Sequence, residues 1–300
     1  NQARATAGVH VCVVGLTNHP PRERRLFSEQ AGRIIESRVS NISPYLLPGG
    51  DTVVANHDTP FADASPLLFG SMADDGGNLL LNSEEHNELV EQEPQSRTWL
   101  KQFMGSREFF DGIERWCLWL RGISAAELDR MPMVKHRVER VRQKRLQGSR
   151  PQFAETPHLF SQIAHPESGR YLLVPSVSSE RRPYAPIGFF DCGVVASNLV
   201  FIISGATLFD FGVLSSEFHM DWLRLVGGRL ESRYRYSAGL VYNTFPWPDP
   251  TDTQRATIEA RAQDVLDVRE RYFHWTMAEM YDPDQMPSVR RQPFWPVSDN

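Results

Sequence analysis

No run of apolar residues in this sequence approaches the ~18 that a membrane-spanning helix needs, so no span is expected. The opening NQARATAGVHVCVVGL lacks the charged start, long apolar centre and small-residue cleavage site of a secretory signal. Residue 1 is Asn rather than Met, which reads as a piece cut from a longer protein. Cysteine is scarce, and Cys12, Cys117 and Cys192 stand far apart among apolar neighbours. That spacing fits neither a disulfide framework nor a metal or redox motif, and points to buried free thiols in a cytoplasmic protein. The nine histidines form no HExxH or other metal-binding pair. No glycine-rich phosphate loop and no GxGxxG is present, and the serines of SVSSE (176–180) lack a GxSxG elbow. None of the lysines, Lys101, Lys135 and Lys144, has an acid two positions earlier, so the E-x-K element of many restriction nucleases is missing. A self-contained hydrolase is not expected, and no residue is assigned a catalytic, cofactor-binding or metal-binding role.

What remains is an ordinary globular composition, 41% hydrophobic and 11% aromatic, over 300 residues, enough for two or three modules. The net charge of -5 rules out a chain that is basic throughout, but the charge is unevenly placed. Residues 74–93 carry seven acids and no Lys or Arg, whereas 130–150 carry eight bases against Glu139 alone. Such separation allows a local phosphate-binding face on an acidic protein. All but three of the 32 basic residues are Arg, which suits bidentate bonding to phosphates and base edges.

Along the chain, Val9–Leu16 has the pattern of a buried strand, and 79–121 reads as helical, with EFFDGIERWCLWLRG its clearest element. A second helix is expected over 124–147, opened by a Ser124/Glu127 capping box and broken or restarted at Pro132. Short apolar runs between turns over 157–215, among them GVVASNLVFIIS and ATLFDFGVLS, read as strands. Residues 216–226 read as a short helix. After Pro250 a long helix places Ile258, Ala262, Val265, Leu266, Arg269 and Phe273 on one stripe.

The chemistry-bearing stretches are few. TNHPP (17–21) and ISPYL (42–46) resemble the Asn-Pro-Pro-aromatic loop of amino-methylating DNA methyltransferases, yet His19 splits the first and the second lacks a proline, so both read as turns. The basic run 130–150, RRPYAP and RLESRYRYS together suit a polyanion better than any one of them does alone. In an extended 229–236, Glu231, Arg233 and Arg235 share one face and Ser232, Tyr234 and Tyr236 the other. A carboxylate can accept from cytosine N4 while a guanidinium bonds guanine O6 and N7, so Glu231 and Arg233 could read both sides of a C·G pair. The other reading is a mutual surface ion pair.

Six stretches together resemble one family: FGSMADDGGNLLLNSEE, RWCLWL, VPSVSSERRPYAPIGF, FGVLSSEFHMDWLRLVGGRLESRYRYS, VYNTFPWP and MYDPDQMP. In this order, over almost the whole chain, they resemble the C-terminal part of MmeI-like (type IIL/IIG) adenine-specific DNA methyltransferases. The resemblance implies an α+β fold with three parts. Residues 1–45 would be the last strand and exit of an α/β methyltransferase domain. Residues 46–250 would be a DNA target recognition domain, a mixed β-sheet with flanking helices, and 251–300 a helical C-terminal segment. It implies double-stranded DNA and the upstream methyltransferase domain as partners. S-adenosylmethionine would serve the full-length protein, with no cofactor in this part. Carried onto this sequence, Glu231 and Arg233 would read one base pair. Arg235, Asn198, Leu199 and Ser176 would read neighbouring positions, and Arg181, Arg182, Arg140 and Lys144 would contact phosphates. The competing expectation is a structural or protein-interaction domain without direct DNA readout.

Overall fold

The computed structural model describes residues 12–286 except 20, 22 and 31. Its centre is a four-stranded sheet in the order Leu68–Phe69, Val200–Ser204, Arg170–Pro175, Gly188–Asp191, antiparallel at every pairing. The two inner strands are apolar at nearly every position because both sheet faces are covered. Leu172, Val174, Phe201 and Ile203 face a core completed by the helices Leu208–Leu214 and Glu217–Val226, while Tyr171, Leu173, Val200 and Ile202 pack with Phe109 and Phe110. A second sheet, Val194–Ala196, Leu100–Met104, Trp116–Leu118, Leu80–Leu81, shares a core with the helix Pro132–Leu146. A third, small sheet joins Gly228–Leu230, Arg233–Arg235 and Val177–Ser178. The architecture is the expected α+β class.

The helix Pro132–Leu146 buries Val134, Val138 and Val141 on one stripe, and Pro132 separates it from Ala125–Asp129, whose Ser124/Glu127 capping box forms as expected. Its first turn is capped from outside the helix. The buried Glu93 carboxylate accepts from Met133 N (2.6 Å) and Val134 N (3.3 Å), where the helix dipole favours negative charge.

Several expectations are corrected. Only the first four residues of EFFDGIERWCLWLRG are helical, as the end of the helix Ser106–Asp111; Gly112, at φ 66, ends the helix, and Trp116–Leu118 is a strand. The apparent helical stripe is the sum of two cores, Phe109 and Phe110 in one and Cys117, Leu118 and Leu120 in the other. Leu208–Leu214, read as a strand, is a helix closed by a Thr207/Asp210 capping box. The long helix Asp252–Arg271 forms, but Val265 and Phe273 do not join its packed stripe: Val265 is exposed, and Phe273 lies beyond the helix end and is 84% exposed. Cys117 is buried, but Cys12 is exposed and Cys192 only half-buried. Of the strand expected over Val9–Leu16, residues 9–11 lie outside the described residues, and 12–16 have no regular structure. Arg24–Gln30 and Arg33–Val39 pair as an antiparallel hairpin. Among the described residues no helix is long and apolar enough to cross a membrane.

Candidate nucleic-acid interface

The stretch RLESRYRYSA folds as a hairpin. Leu230 pairs with Arg233, leaving Glu231 and Ser232 as a two-residue turn. Glu231 adopts φ 58, a left-handed conformation that costs a residue with a Cβ about 1–2 kcal/mol. Beyond the turn the alternation holds: Tyr234 and Tyr236 are buried, and Arg233 and Arg235 face solvent. The Arg229 guanidinium lies 3.9 Å from the Tyr234 ring centroid, and the Tyr236 hydroxyl bonds His219 Nε2 at 2.8 Å. Burial keeps His219 neutral, its pKa lowered to about 3. The two tyrosines therefore anchor the strand from beneath and fix the direction of its arginines.

Glu231 and Arg233 bond to each other, Arg233 Nη2 donating to Glu231 Oε2 at 2.8 Å. The Arg235 side chain makes no hydrogen bond or ion pair among the described residues. Its strand pairs with Val177–Ser178, and Tyr236 N donates to Ser176 O at 2.9 Å. Ser176 Oγ in turn donates to Leu199 O at 2.6 Å. Segments far apart in the chain, around Ser176, Asn198–Leu199 and Glu231–Arg235, thus form one connected edge. Leu199 is 61% exposed there, and the Asn198 side-chain carboxamide has no partner among the described residues.

The basic residues divide differently. Arg182 belongs to this edge: it donates to Ser178 Oγ at 3.3 Å and lies 4.0 Å over the Phe110 ring. Arg181 is ion-paired to Asp284, with Asp282 at 4.0 Å. Lys144 and Arg140 lie on the helix packed against the other sheet. Lys144 pairs with Asp74 and by its hydrogen bond holds that carboxyl below its ordinary pKa; Arg140 is exposed with no partner among the described residues. Much of the +7 imbalance of 130–150 is spent internally. Arg137 bonds Glu85, Lys135 bonds Asp129, and the buried Arg145 donates to the carbonyls of Ala73, Asp74, Phe153, Thr156 and Leu159. Sequence reasoning missed Gly70 and Ser106, which touch the Asn198 turn; only a lone glycine before a serine marked the first.

The sequence matches the family profile described as the MmeI target recognition domain over residues 48–249 and that of the MmeI C-terminal domain over 250–293. The chain belongs to the MmeI family. It is 36% identical over 291 residues to DNA methyltransferase A of Bacillus subtilis (strain 168), covering 96% of this chain and 32% of that protein. Its fold matches the structure of the type IIL restriction-modification enzyme MmeI in complex with DNA, with a TM-score of 0.84, 40% identity, and coverage of 90% of this chain and 37% of that one. The chain thus spans about a third of the length of these relatives.

Proposed function

We propose that this chain is the DNA-reading part of an S-adenosylmethionine-dependent adenine-N6 DNA methyltransferase of a restriction-modification system. The observation that carries the proposal is the single edge formed by Ser176, Asn198–Leu199 and Glu231–Arg235, with Asn198 and Arg235 unengaged. In this reading Glu231 and Arg233 exchange their mutual bond for the two sides of a C·G pair, and Asn198 grips adenine through its donor and acceptor. Arg235, Leu199 and Ser176 meet neighbouring positions. Arg181, Arg182, Arg140 and Lys144 contact phosphates, which set position rather than sequence.

Open hollows lie on the surface of the described residues. The one beside Pro248, Pro250 and Ile258 is an open, largely apolar surface without a glycine-rich turn. Cofactor and target-base chemistry are assigned to an upstream methyltransferase domain, of which residues 1–45 form the end. The hairpin Arg24–Val39 supports this assignment: Phe27 is 62% and Ile34 77% exposed, and a lone two-stranded hairpin is marginal in water.

A salt titration of duplex binding tests the proposal. Phosphate contacts require affinity to fall steeply as salt rises. Binding that is absent, or insensitive to salt, would leave the structural or protein-interaction reading in its place.

A further inference from the structure

The turn Ser197–Val200 is held rigidly by its backbone while its outward side chains are left free. Val200 N donates to Ser197 O (3.1 Å), Ser197 N to Met104 O (2.8 Å), Asn198 N to Ser71 O (3.0 Å) and Gly70 N to Val200 O (3.0 Å). Leu199 N is satisfied within the turn by Ser197 Oγ at 3.2 Å. A Cβ at position 70 would stand 2.3 Å from Ser197 O, so only glycine allows this approach.

Leu199 O, also in the turn, accepts from two hydroxyls: Ser176 Oγ at 2.6 Å and Ser106 Oγ at 3.3 Å. A carbonyl has two acceptor sites, and here both are filled from different elements. Ser106 opens the helix Ser106–Asp111, whereas Ser176 lies in the recognition edge, so the carbonyl ties the turn to both.

We infer that Ser106 is a positioning residue for base reading: with Ser176 it fixes the Leu199 carbonyl, and thereby the direction in which Asn198 meets its base pair. The inference rests on the proposed DNA-reading role of this turn. Base discrimination requires contacts placed to within ~0.5 Å, and a carbonyl released on one side lets the turn rotate. Ser176, its proton already committed to Leu199 O, can meet DNA only as an acceptor.

The test is selection of duplexes from a randomised pool by the full-length protein carrying this chain, with the bound sequences read out. Four forms are compared: wild type, Asn198→Ala, Ser106→Ala and Ser106→Thr. Asn198→Ala locates the base pair that the turn reads. Ser106→Ala is expected to weaken the preference at that same pair by about three- to tenfold, the loss of one hydrogen bond's worth of ordering. Preferences elsewhere and the salt dependence stay unchanged, and Ser106→Thr, which keeps the hydroxyl, restores the preference. Should Ser106→Ala lose its cooperative thermal transition, Ser106→Val against Ser106→Thr makes the same comparison at equal size. An effect of Asn198→Ala without one of Ser106→Ala overturns the inference and leaves the DNA-reading proposal standing. Equal weakening at every position also overturns it, because that is the signature of a merely structural serine. No change with Asn198→Ala at any position removes the reading role of the turn, and the inference with it.

Discussion

Arg233 donates to the carboxylate of Glu231 at 2.8 Å across a turn in which Glu231 holds φ 58. Both side chains are about half exposed, so their attraction is worth only ~0–1 kcal/mol, less than the backbone cost of a non-glycine residue in that conformation. The turn therefore places a glutamate where stability alone favours glycine. Strain kept at such a point is expected where the side chain has a use. Glu231→Gly should leave the melting temperature unchanged or raise it while removing discrimination at one base pair. Exchanging the residues at 231 and 233 together in a full-length methyltransferase should change the methylated sequence at that pair. An unchanged methylated sequence would remove both from the reading set.

Arg145 is the largest fully buried side chain among the described residues, and its guanidinium serves carbonyls from two separate stretches, 73–74 and 153–159. A planar fork with five N–H donors can satisfy them together; an ammonium has three donors at one point. Arg145→Met should lower stability in urea denaturation by at least about 3 kcal/mol, since each orphaned buried acceptor costs roughly 1–3 kcal/mol. Arg145→Lys should recover little of that loss, and recovery to near wild type would show that water can replace the fork.

These two arginines mark what could be read from the chain itself. Helix Pro132–Leu146 was legible because Val134, Val138 and Val141 recur on one side and Pro132 fixes its start. The alternation of Arg233, Tyr234, Arg235 and Tyr236 was legible for the same kind of reason. The buried destination of Arg145 was not, because its partners are backbone carbonyls, which leave no mark in the side-chain pattern. Nor was the end of helix Ser106–Asp111 at Gly112 apparent, since the apolar residues on either side serve different cores yet mimic one stripe. The edge around Ser176, Asn198 and Arg235 depends on pairings between distant segments, such as Tyr236 with Ser176, that periodicity cannot supply.

His219 is fully buried, and burial lowers its pKa from 6.5 to about 3. The unfolded chain therefore takes up a proton near pH 6.5 that the folded protein refuses until about pH 3. Stability is complete above pH 6.5 and falls as pH drops through this window, by up to about 1.4 kcal/mol per unit. Burial also lowers His165 and His158, which act in the same direction. The lowered carboxylates Asp74 and Glu85 act only nearer pH 4, so the range from 6.5 to 5 isolates the histidines. His219→Gln, which can still bond the Tyr236 hydroxyl, should flatten the stability profile in that range. A slope equal to wild type would assign the effect to the other histidines.

Arg181 is bonded to Asp284 and faces Asp282, so in the free protein a residue proposed to bind phosphate is held by the C-terminal segment. A phosphate must compete with those two carboxylates. Replacing both by asparagine removes the competition and two negative charges, and should raise DNA affinity equally for all sequences. Arg181→Ala should weaken binding equally for all sequences and reduce the slope of log K against log salt by about 0.9, the value for one lost phosphate contact. If the arginine serves only to hold the tail, Arg181→Ala will leave that slope intact. It would instead show itself as faster proteolysis around 282–284, where the ion pair ties the segment down. The two outcomes separate a contact made with DNA from a contact made only within the protein.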